Sequence, residues 1–587
     1  MPDLGIYTGW VAHENSFAGG QVFFSERKDI ALIFSGECFA DRDTDSKSTN
    51  NRPNLGEKKT DCLVRLYEEE GDRFFTKLNG LFSGLLIDKK RNRAFLFNDR
   101  YGVGRIYYHE TKEGIYFASE AKALLRILPE LRAFDEEGVA QFLTYGCTLE
   151  DRTLFQGVRS LPGASVWRFE DGECHKSRYF SSASWEEQPC LPPADFEAEF
   201  QRIFKRLTPR YFNSESKIGI SLTGGLDTRM IMACRPACAQ EPVCFTFDGA
   251  TGETLDTQLA ARVAQACGLD HHILRLGPDF LSNFASHVDQ TIYITDGCFG
   301  ATGAHEVYLN KLARELAPVR LTGNYGSEIL RGVSTFKSLG LSPHLINPDF
   351  RSFMTPSIDH LNRENPFTFA AFKEVPWNLY GALTAGRSQI CLRTPYLDNE
   401  LVALAYRAPD SLRGSSVPAK KLITNQDRAL SRIPTDMGKL GEFGQLTRGV
   451  KHVTSKIAFK CDYLANQGFP GWLSVFDPLL KPLSLFLEIT GRHRYLHYRH
   501  WFQNELAGHL NDVLGNGRVQ SPFWNDGFLS SMAVDHIRGR KNYTREINAV
   551  VTLEAVERLL FRGLASGPYD PADAELRSRQ MAPVLIE

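Results

Sequence analysis

From residue 218 onward, short apolar strands alternate with helical segments, and this alternation constrains the fold more than any other feature of the chain. The stretch 218–222 alternates apolar and small residues, as a strand entering a core does. Apolar residues then recur along one helix face at Leu226, Met230 and Ala233. The rhythm continues through expected strands at 243–247, 273–276 and 319–321 and expected helices at 256–267 and 306–316. It predicts a doubly wound parallel sheet of the α/β class.

The turn between the first of these strands and its helix has the composition of an anion-binding loop. Thr223 precedes Gly224 and Gly225, whose missing Cβ atoms allow a ligand to approach the backbone. Free N–H groups at the start of the helix would point at that ligand. A common P-loop needs a lysine where Asp227 stands, so a bound phosphate requires a bridging cation such as magnesium. An ordinary glycine turn before a helix is the alternative interpretation.

Further loops are expected at the same edge of the sheet. Ligands of doubly wound sheets bind at the carboxyl ends of the strands, where the loops 223–228, 247–254 and 322–328 would converge. The third loop again carries glycines at a strand exit, and it places Glu328 where it could share a cation with Asp227. Alone, Glu328 would equally suit the start of a helix in a solvated turn. Two glycine loops after neighbouring strands favour a ligand site.

The first 180 residues follow a different pattern. Only 60–69 and 119–128 look helical, and the remaining apolar segments read as strands, which predicts an antiparallel α+β domain. The expected strands are 21–24, 30–34, 81–87, 94–97, 106–108 and 115–117. A polar loop is expected at 41–59, a domain boundary at 181–193, and a mainly helical region at 416–587 with its clearest amphipathic helix at 552–560.

The composition bounds the partners and the location. A formal charge of −2 with 24% charged residues gives no general attraction for nucleic acid or anionic lipid, and no apolar run is long enough to span a bilayer. The 12 cysteines follow no disulfide framework, and the chain begins without an apolar leader. We therefore expect a cytoplasmic protein that binds neither nucleic acid nor membrane.

Five ordered motifs resemble the asparagine synthetase family over most of the chain. Residues 223–228 read Thr-Gly-Gly-Leu-Asp-Thr, where the ATP motif of the family reads Ser-Gly-Gly-Leu-Asp-Ser, and the other motifs lie at 97–108, 116–125, 152–163 and 395–398. The resemblance implies an N-terminal Ntn-hydrolase-like α+β sandwich of the glutaminase type at 1–180. A doubly wound ATP pyrophosphatase domain at 194–450 and a helical C-terminal extension at 451–587 would follow.

The N-terminal domain departs from the family at the residues that hydrolyse glutamine. The position that matches the nucleophilic cysteine of the family is Leu4, and leucine cannot act as a nucleophile. The Asn-Gly oxyanion element corresponds to Ser35 and Gly36, the aspartate that holds the substrate amine corresponds to Lys59, and the Arg-Gly-Pro-Asp loop has no counterpart. The resemblance therefore implies a degenerate glutaminase domain without glutaminase activity.

The synthetase half departs less from the family. In the loop 322–328, Asn324 stands for the glutamate that assists the amine, and Ser327 stands for a metal-binding aspartate, whose cation Glu328 would inherit. In the second loop, 256–257 is Asp-Thr where the family has an aspartate and a glutamate.

The resemblance also assigns roles to individual residues. The residues expected to contact ATP are Ser221, Thr223, Gly224, Gly225, Asp227, Thr228, Phe245, Thr246, Phe247, Gly323 and Tyr325. The expected magnesium ligands are Asp227 and Glu328. The expected catalytic residues are Asn324, Glu328 and Lys439, with Lys421 as the second candidate for the lysine that stabilises adenylation.

These features predict an ATP-dependent carboxylate–amine ligase that releases AMP and pyrophosphate. Its expected partners are a small-molecule or peptide carboxylate and an amine donor, and a homo-oligomer or a biosynthetic partner protein is left open. One alternative is a macrolactam-forming cyclase of the lasso-peptide or β-lactam type. The other is a non-catalytic ATP-binding scaffold, which the residues Asn324 and Ser327 favour.

Overall fold

Two antiparallel sheets form the N-terminal part of the chain. The computed structural model describes residues 5–10, 21–39, 61–237, 240–249, 253–354, 365–435, 495–515, 519 and 521–564. The first elements are β1 (Gln21–Phe24), β2 (Ile30–Cys38), α1 (Asp61–Glu70), α2 (Phe74–Lys77), β3 (Gly80–Asp88), β4 (Arg93–Asn98), β5 (Tyr107–Glu110), β6 (Ile115–Ala118), α3 (Ala121–Ile127), α4 (Glu136–Tyr145), β7 (Arg159–Ser160), β8 (Ser165–Glu170) and β9 (Glu173–Arg178). The larger sheet has the order β1-β2-β3-β4-β8-β9, and the smaller has the order β6-β5-β7.

The alternation of side chains along β3 gives the larger sheet two apolar faces. Phe82 and Leu86 pack with α1 on one face, whereas Leu85 and Ile87 belong to the core shared with the smaller sheet. This arrangement confirms the expected antiparallel α+β domain.

The prediction that only 60–69 and 119–128 are helical in this domain was wrong, because α4 is a further helix. The side chain of Asp135 caps its first turn by accepting from the Gly138 N–H at 2.7 Å. Gly146 ends it with a left-handed φ of 81°.

A parallel sheet follows, flanked by helices. Its elements in chain order are α5 (Ala183–Glu186), α6 (Pro193–Phe212), β10 (Ile218–Ser221), α7 (Leu226–Ala233), β11 (Val243–Asp248), α8 (Leu255–Ala266), β12 (His271–Arg275), α9 (Pro278–Ser282), α10 (Phe284–Thr295), α11 (Ala304–Leu316), β13 (Val319–Thr322), α12 (Gly326–Arg331), α13 (Pro366–Phe369), α14 (Val375–Trp377), α15 (Tyr380–Arg387), β14 (Cys391–Arg393), α16 (Asn399–Tyr406), α17 (Val417–Gln426) and α18 (Arg428–Arg432). The strand order β12-β11-β10-β13-β14, with every pairing parallel, confirms the doubly wound sheet.

The helices after residue 495 pack onto both preceding parts of the chain. They are α19 (Tyr498–Gln503), α20 (Ala507–Leu514), α21 (Asp526–Ile537) and α22 (Thr544–Val556), and a π-helical turn at Glu557–Arg562 follows. One apolar core joins them to α3 and α4 and to α10 and α11. No helix in the described ranges has the length and hydrophobicity to cross a membrane.

Polar side-chain contacts connect the N-terminal antiparallel part to the part that contains the parallel sheet. Arg393 on β14 donates to both carboxylate oxygens of Glu37 on β2, with its closest contact at 2.6 Å. The Asn79 side chain donates to Asp398 at 3.1 Å. Asp398 also caps α16 by accepting from the Glu400 N–H.

Candidate active site

The three strands whose loops were expected to converge lie side by side. Ser221 at the end of β10 is in register with Phe245 on β11 and with Thr322 on β13. From β10 the chain continues to β11 and β12 on one side, and β13 and β14 lie on the other. The loops after β10 and β13 therefore leave the sheet at its topological switch point, where doubly wound sheets bind ligands.

The two glycine loops are in direct contact with each other. A Cβ atom added to Gly323 would lie 2.7 Å from the backbone nitrogen of Thr228. A Cβ atom added to Gly326 would lie 2.6 Å from Cγ of Asp227. The loop after β13 carries glycine at 323 and 326 because a side chain at either position would push it away from the loop after β10.

Two buried hydroxyl groups flank the first glycine loop without any hydrogen-bond partner among the described residues. They are Oγ of Ser221 and Oγ1 of Thr228, on residues that are 7% and 4% exposed. A buried hydroxyl that lacks a partner destabilises the folded chain by about 1–3 kcal/mol. Their position at the switch point indicates a ligand with hydrogen-bond acceptors.

Two backbone N–H groups of this loop, those of Gly224 and Gly225, already have acceptors. The Gly224 N–H donates to Oδ1 of Asp256 at 2.9 Å, and the Gly225 N–H donates to Oγ1 of Thr223 at 3.2 Å. Asp256 reaches the loop from the first turn of α8, where the Thr254 side chain caps the helix. A phosphate that binds the Gly224 amide must therefore displace a carboxylate.

Asp227 forms an ion pair with Arg331 that was not predicted from the sequence. Nη1 and Nη2 of Arg331 donate to its two carboxylate oxygens at 3.0 and 3.1 Å. Oγ of Ser327 donates to Oδ2 of Asp227 at 3.0 Å and accepts from Nη2 of Arg331. The available sequence signal was the i,i+4 spacing of Ser327 and Arg331 on α12.

The carboxyl group of Glu328 has a strongly raised pKa. Burial raises the pKa of its carboxyl group to about 7, and the charges of Glu374 and Asp227 act in the same direction. Glu374 is itself fully buried, and one of its oxygens accepts from the backbone of Thr335 and Phe336.

These donors do not suit a magnesium ion. Magnesium needs oxygen ligands in near-octahedral geometry. Both oxygens of Asp227 are paired with Arg331, and the carboxyl of Glu328 loses its proton only near neutral pH. The described part of the chain also has no group of three or more His, Cys, Asp or Glu side chains arranged to hold a metal ion. The metal-binding role of Asp227 and Glu328 stays an untested prediction.

The other residues of the third loop surround the same edge of the sheet. Asn324 is exposed, and its Oδ1 accepts from Oγ1 of Thr322 at 2.9 Å. The Asn324 carbonyl accepts from Oγ1 of Thr394 at 2.9 Å. Tyr325 is buried with a left-handed φ of 72° at the start of α12.

The residues of β11 expected to contact ATP already make contacts within the sheet. Phe245 is fully buried, and its carbonyl accepts from the Leu222 N–H at 2.8 Å. Oγ1 of Thr246 donates to the Leu222 carbonyl at 3.0 Å. Phe247 is half-buried, with the Arg320 guanidinium 4.7 Å from its ring centre.

The remaining predicted residues lie apart from the loops or outside the described residues. Nζ of Lys421 contacts Glu197 at 2.6 Å on α6. Ser35 and Gly36 are strand residues of β2 paired with β3. Leu4, Lys59, Lys439 and the expected loop at 41–59 lie outside the described residues.

The antiparallel part of the chain and the parallel sheet each match a known family model. Residues 12–180 match the family model of the glutamine amidotransferase domain, and residues 200–383 match that of asparagine synthase. The chain is an asparagine synthetase-like protein.

Curated relatives support this assignment. A glutamine-hydrolyzing asparagine synthetase 2 of Bacillus subtilis is 25% identical, over 67% of this chain and 59% of its own length. A putative asparagine synthetase 2 of Methanocaldococcus jannaschii is 21% identical, over 53% and 60%. Amidase chyE of Penicillium rubens is 22% identical, over 62% and 56%. The chain thus spans less than two thirds of the length of each of these relatives.

Proposed function

We propose that this chain is an ATP-dependent ligase that adenylates a carboxylate and then transfers the acyl group to an amine. The observation that carries the proposal is the pair of unpartnered, buried hydroxyls of Ser221 and Thr228 at the switch point. Hydroxyl donors at this position suit the phosphate oxygens of ATP. The match to the asparagine synthase model supports an amide-forming ligase of this kind.

In the proposed first step, an oxygen of the substrate carboxylate attacks the α-phosphorus of ATP, and the bond to the departing pyrophosphate breaks. Ser221 and Thr228 would donate hydrogen bonds to phosphate oxygens as their negative charge grows. In the second step the amine nitrogen attacks the acyl carbon, AMP leaves, and the amine loses a proton. Asn324 has an amide side chain, so it can orient the amine but cannot accept that proton.

We propose further that the amine does not come from glutamine hydrolysed on this chain. The position that resembles the family's nucleophilic cysteine is Leu4, which cannot form a thioester. Magnesium enters the proposal only as the ion that ATP carries on its own phosphates. The carboxylate substrate, the amine donor and the cytoplasmic location stay predictions from the sequence.

A non-catalytic ATP-binding scaffold is the second candidate function. The observation that favours it is the exposed side chain of Asn324, because an amide at the position where the family has a glutamate cannot accept the proton of an attacking amine.

Carboxylate-dependent exchange of labelled pyrophosphate into ATP tests the proposal. A panel of amino acids, sugar acids and peptides would supply the carboxylate, and the expected result is exchange with at least one of them that Thr228→Val strongly reduces. ATP binding without exchange across the panel would favour the scaffold. A chain that binds no ATP would end both proposals. Ammonia release from glutamine by the wild-type chain would contradict the proposed lack of glutaminase activity.

A further inference from the structure

Arg331 occupies the coordination positions that a magnesium ion would need on Asp227. Its guanidinium lies end-on against the carboxylate, with one nitrogen on each oxygen at 3.0 and 3.1 Å. Both side chains are largely buried, at 15% and 17% exposure. A bidentate, shielded pair of this kind is held more firmly than an exposed ion pair. A metal ion cannot bind these oxygens until Arg331 leaves them.

The position of Arg331 is fixed by the packing of the two glycine loops. Gly326 lets the start of α12 approach Asp227, and Arg331 lies at the end of the same short helix. Ser327, one turn before Arg331, completes the triangle by donating to Asp227 and accepting from Arg331. The guanidinium is thus held beside the first turn of α7, directly after the loop where the pyrophosphate would sit.

Arg331 also retains hydrogen-bonding capacity for a ligand. A guanidinium has five N–H donors. Three of them are used by Asp227 and Ser327, and the other two make no hydrogen bond within the described ranges. The group stays charged at every physiological pH.

Two carboxylates lie at the first glycine loop, so binding of a phosphate there requires a nearby cation. Asp227 and Asp256 both reach the first glycine loop, and each would repel an incoming phosphate. Arg331 neutralises the first of them and keeps two N–H donors, and the planar donor arrangement of its guanidinium suits phosphate.

We propose that Arg331, positioned by Asp227 and Ser327, is the cation that receives the pyrophosphate part of ATP, in the place where a protein-bound metal ion would otherwise stand. Asp227 is then a positioning residue and not a metal ligand. This inference rests on the proposed function, since it concerns the same nucleotide site.

Calorimetric titration with pyrophosphate and with ATP tests the inference, each in EDTA and in magnesium. The wild-type chain is expected to bind both ligands in EDTA. Arg331→Gln is expected to weaken pyrophosphate binding in EDTA by roughly tenfold or more, because a hydrogen bond between charged partners is lost. Magnesium should then recover part of that loss in Arg331→Gln only, because the released Asp227 becomes available as a ligand.

Arg331→Lys serves as a second variant, should Arg331→Gln fail to fold. Lysine keeps the charge but cannot bridge both oxygens of Asp227, so intermediate affinity in EDTA is expected. Arg413→Gln is the matched control, since Arg413 pairs with Asp410 at 2.9 Å on the surface, and its binding should equal that of the wild type.

Two results would overturn the inference while leaving the proposed function intact: wild-type binding of pyrophosphate only in magnesium, or equal binding by the wild type and Arg331→Gln in EDTA. A wild-type chain that binds neither ligand under either condition would instead remove the proposed function itself.

Discussion

Replacing Thr228 with valine should stabilise the ligand-free protein and weaken ATP binding at the same time. The side chain is 4% exposed, and its Oγ1 makes no hydrogen bond within the described part of the chain. Valine keeps the branched shape and removes only the hydroxyl. The substitution therefore removes a polar atom that is buried at a cost and supplies no stabilising contact in the absence of ligand.

The two effects have different sizes. Relief of the desolvation penalty should raise the free energy of unfolding by about 1 kcal/mol. Loss of a hydrogen bond to a charged phosphate should lower ATP affinity by roughly 10- to 150-fold. At an ATP concentration of about 100 times the wild-type Kd, binding stabilises the wild type by about 2.7 kcal/mol. A hundredfold weaker variant would gain only about 0.4 kcal/mol under the same conditions.

Thermal unfolding with and without ATP measures both quantities in one experiment. Thr552→Val is the matched control, because Thr552 is also fully buried but its Oγ1 accepts from the Ala301 N–H at 2.9 Å and donates to the Asn548 carbonyl at 2.6 Å. This control should lose about 1–3 kcal/mol and keep the full stabilisation by ATP. The reasoning is refuted if Thr228→Val lowers the melting temperature and leaves the ATP-induced shift unchanged.

Three further predictions concern Gly323, His536 and Arg393. Gly323→Ala should destabilise the chain by about 1–3 kcal/mol and weaken ATP binding, because the new Cβ would meet the Thr228 backbone at 2.7 Å; thermal unfolding and calorimetry check this. Burial lowers the pKa of His536 to about 4. The free energy of unfolding should therefore fall by up to about 3 kcal/mol as the pH drops from about 6.5 to 4. Denaturation measured at several pH values in that range should show a weaker pH dependence in His536→Gln. Arg393→Gln should cost about 1–3 kcal/mol in urea unfolding, because the Glu37 carboxylate and the carbonyls of Tyr211 and Asn213 lose the guanidinium that donates to them.

Each of these has a control or a contrary outcome. Gly527→Ala has its nearest contact at 3.5 Å and should be neutral or slightly stabilising. Equal pH dependence in the wild type and His536→Gln would contradict the role of that histidine. Glu37→Gln should cost at least as much as Arg393→Gln, because it leaves the Arg393 charge unpaired at 5% exposure whereas Arg393→Gln leaves the Glu37 charge unpaired at 30% exposure, and a clearly smaller cost would count against the argument.

Local patterns predicted most of the fold. The period of apolar residues is set within each strand and helix, so β10, α7, β11 and α8 could be placed from their own residues. The strand β14 escaped prediction because it is three residues long and follows a segment without a clear period. Helix α4 escaped although Asp135 and Gly146 are ordinary cap residues, since the strands around it dominated the pattern.

The composition of the site was predictable, but its pairings were not. The hydroxyls and glycines of 221–228 belong to one continuous motif, which the sequence displays directly. The ion pair of Asp227 with Arg331 joins residues 104 positions apart, and the contact of Gly224 with Asp256 joins residues 32 apart. Such contacts depend on how two loops pack, and packing is a property of the whole sheet rather than of either segment.

Two side chains of the protein thus occupy the positions that a phosphate and its cation would take in the first glycine loop. The Asp256 carboxylate occupies an amide that a phosphate would use, and the Arg331 guanidinium occupies a carboxylate that a cation would use. Replacing Asp227 or Asp256 would therefore change the resting structure together with the ligand site, and a loss of binding could not be assigned to either cause. The hydroxyls of Ser221 and Thr228 are free of this coupling, because they have no internal partner to lose within the described residues. They provide the more selective test of whether this loop binds a nucleotide.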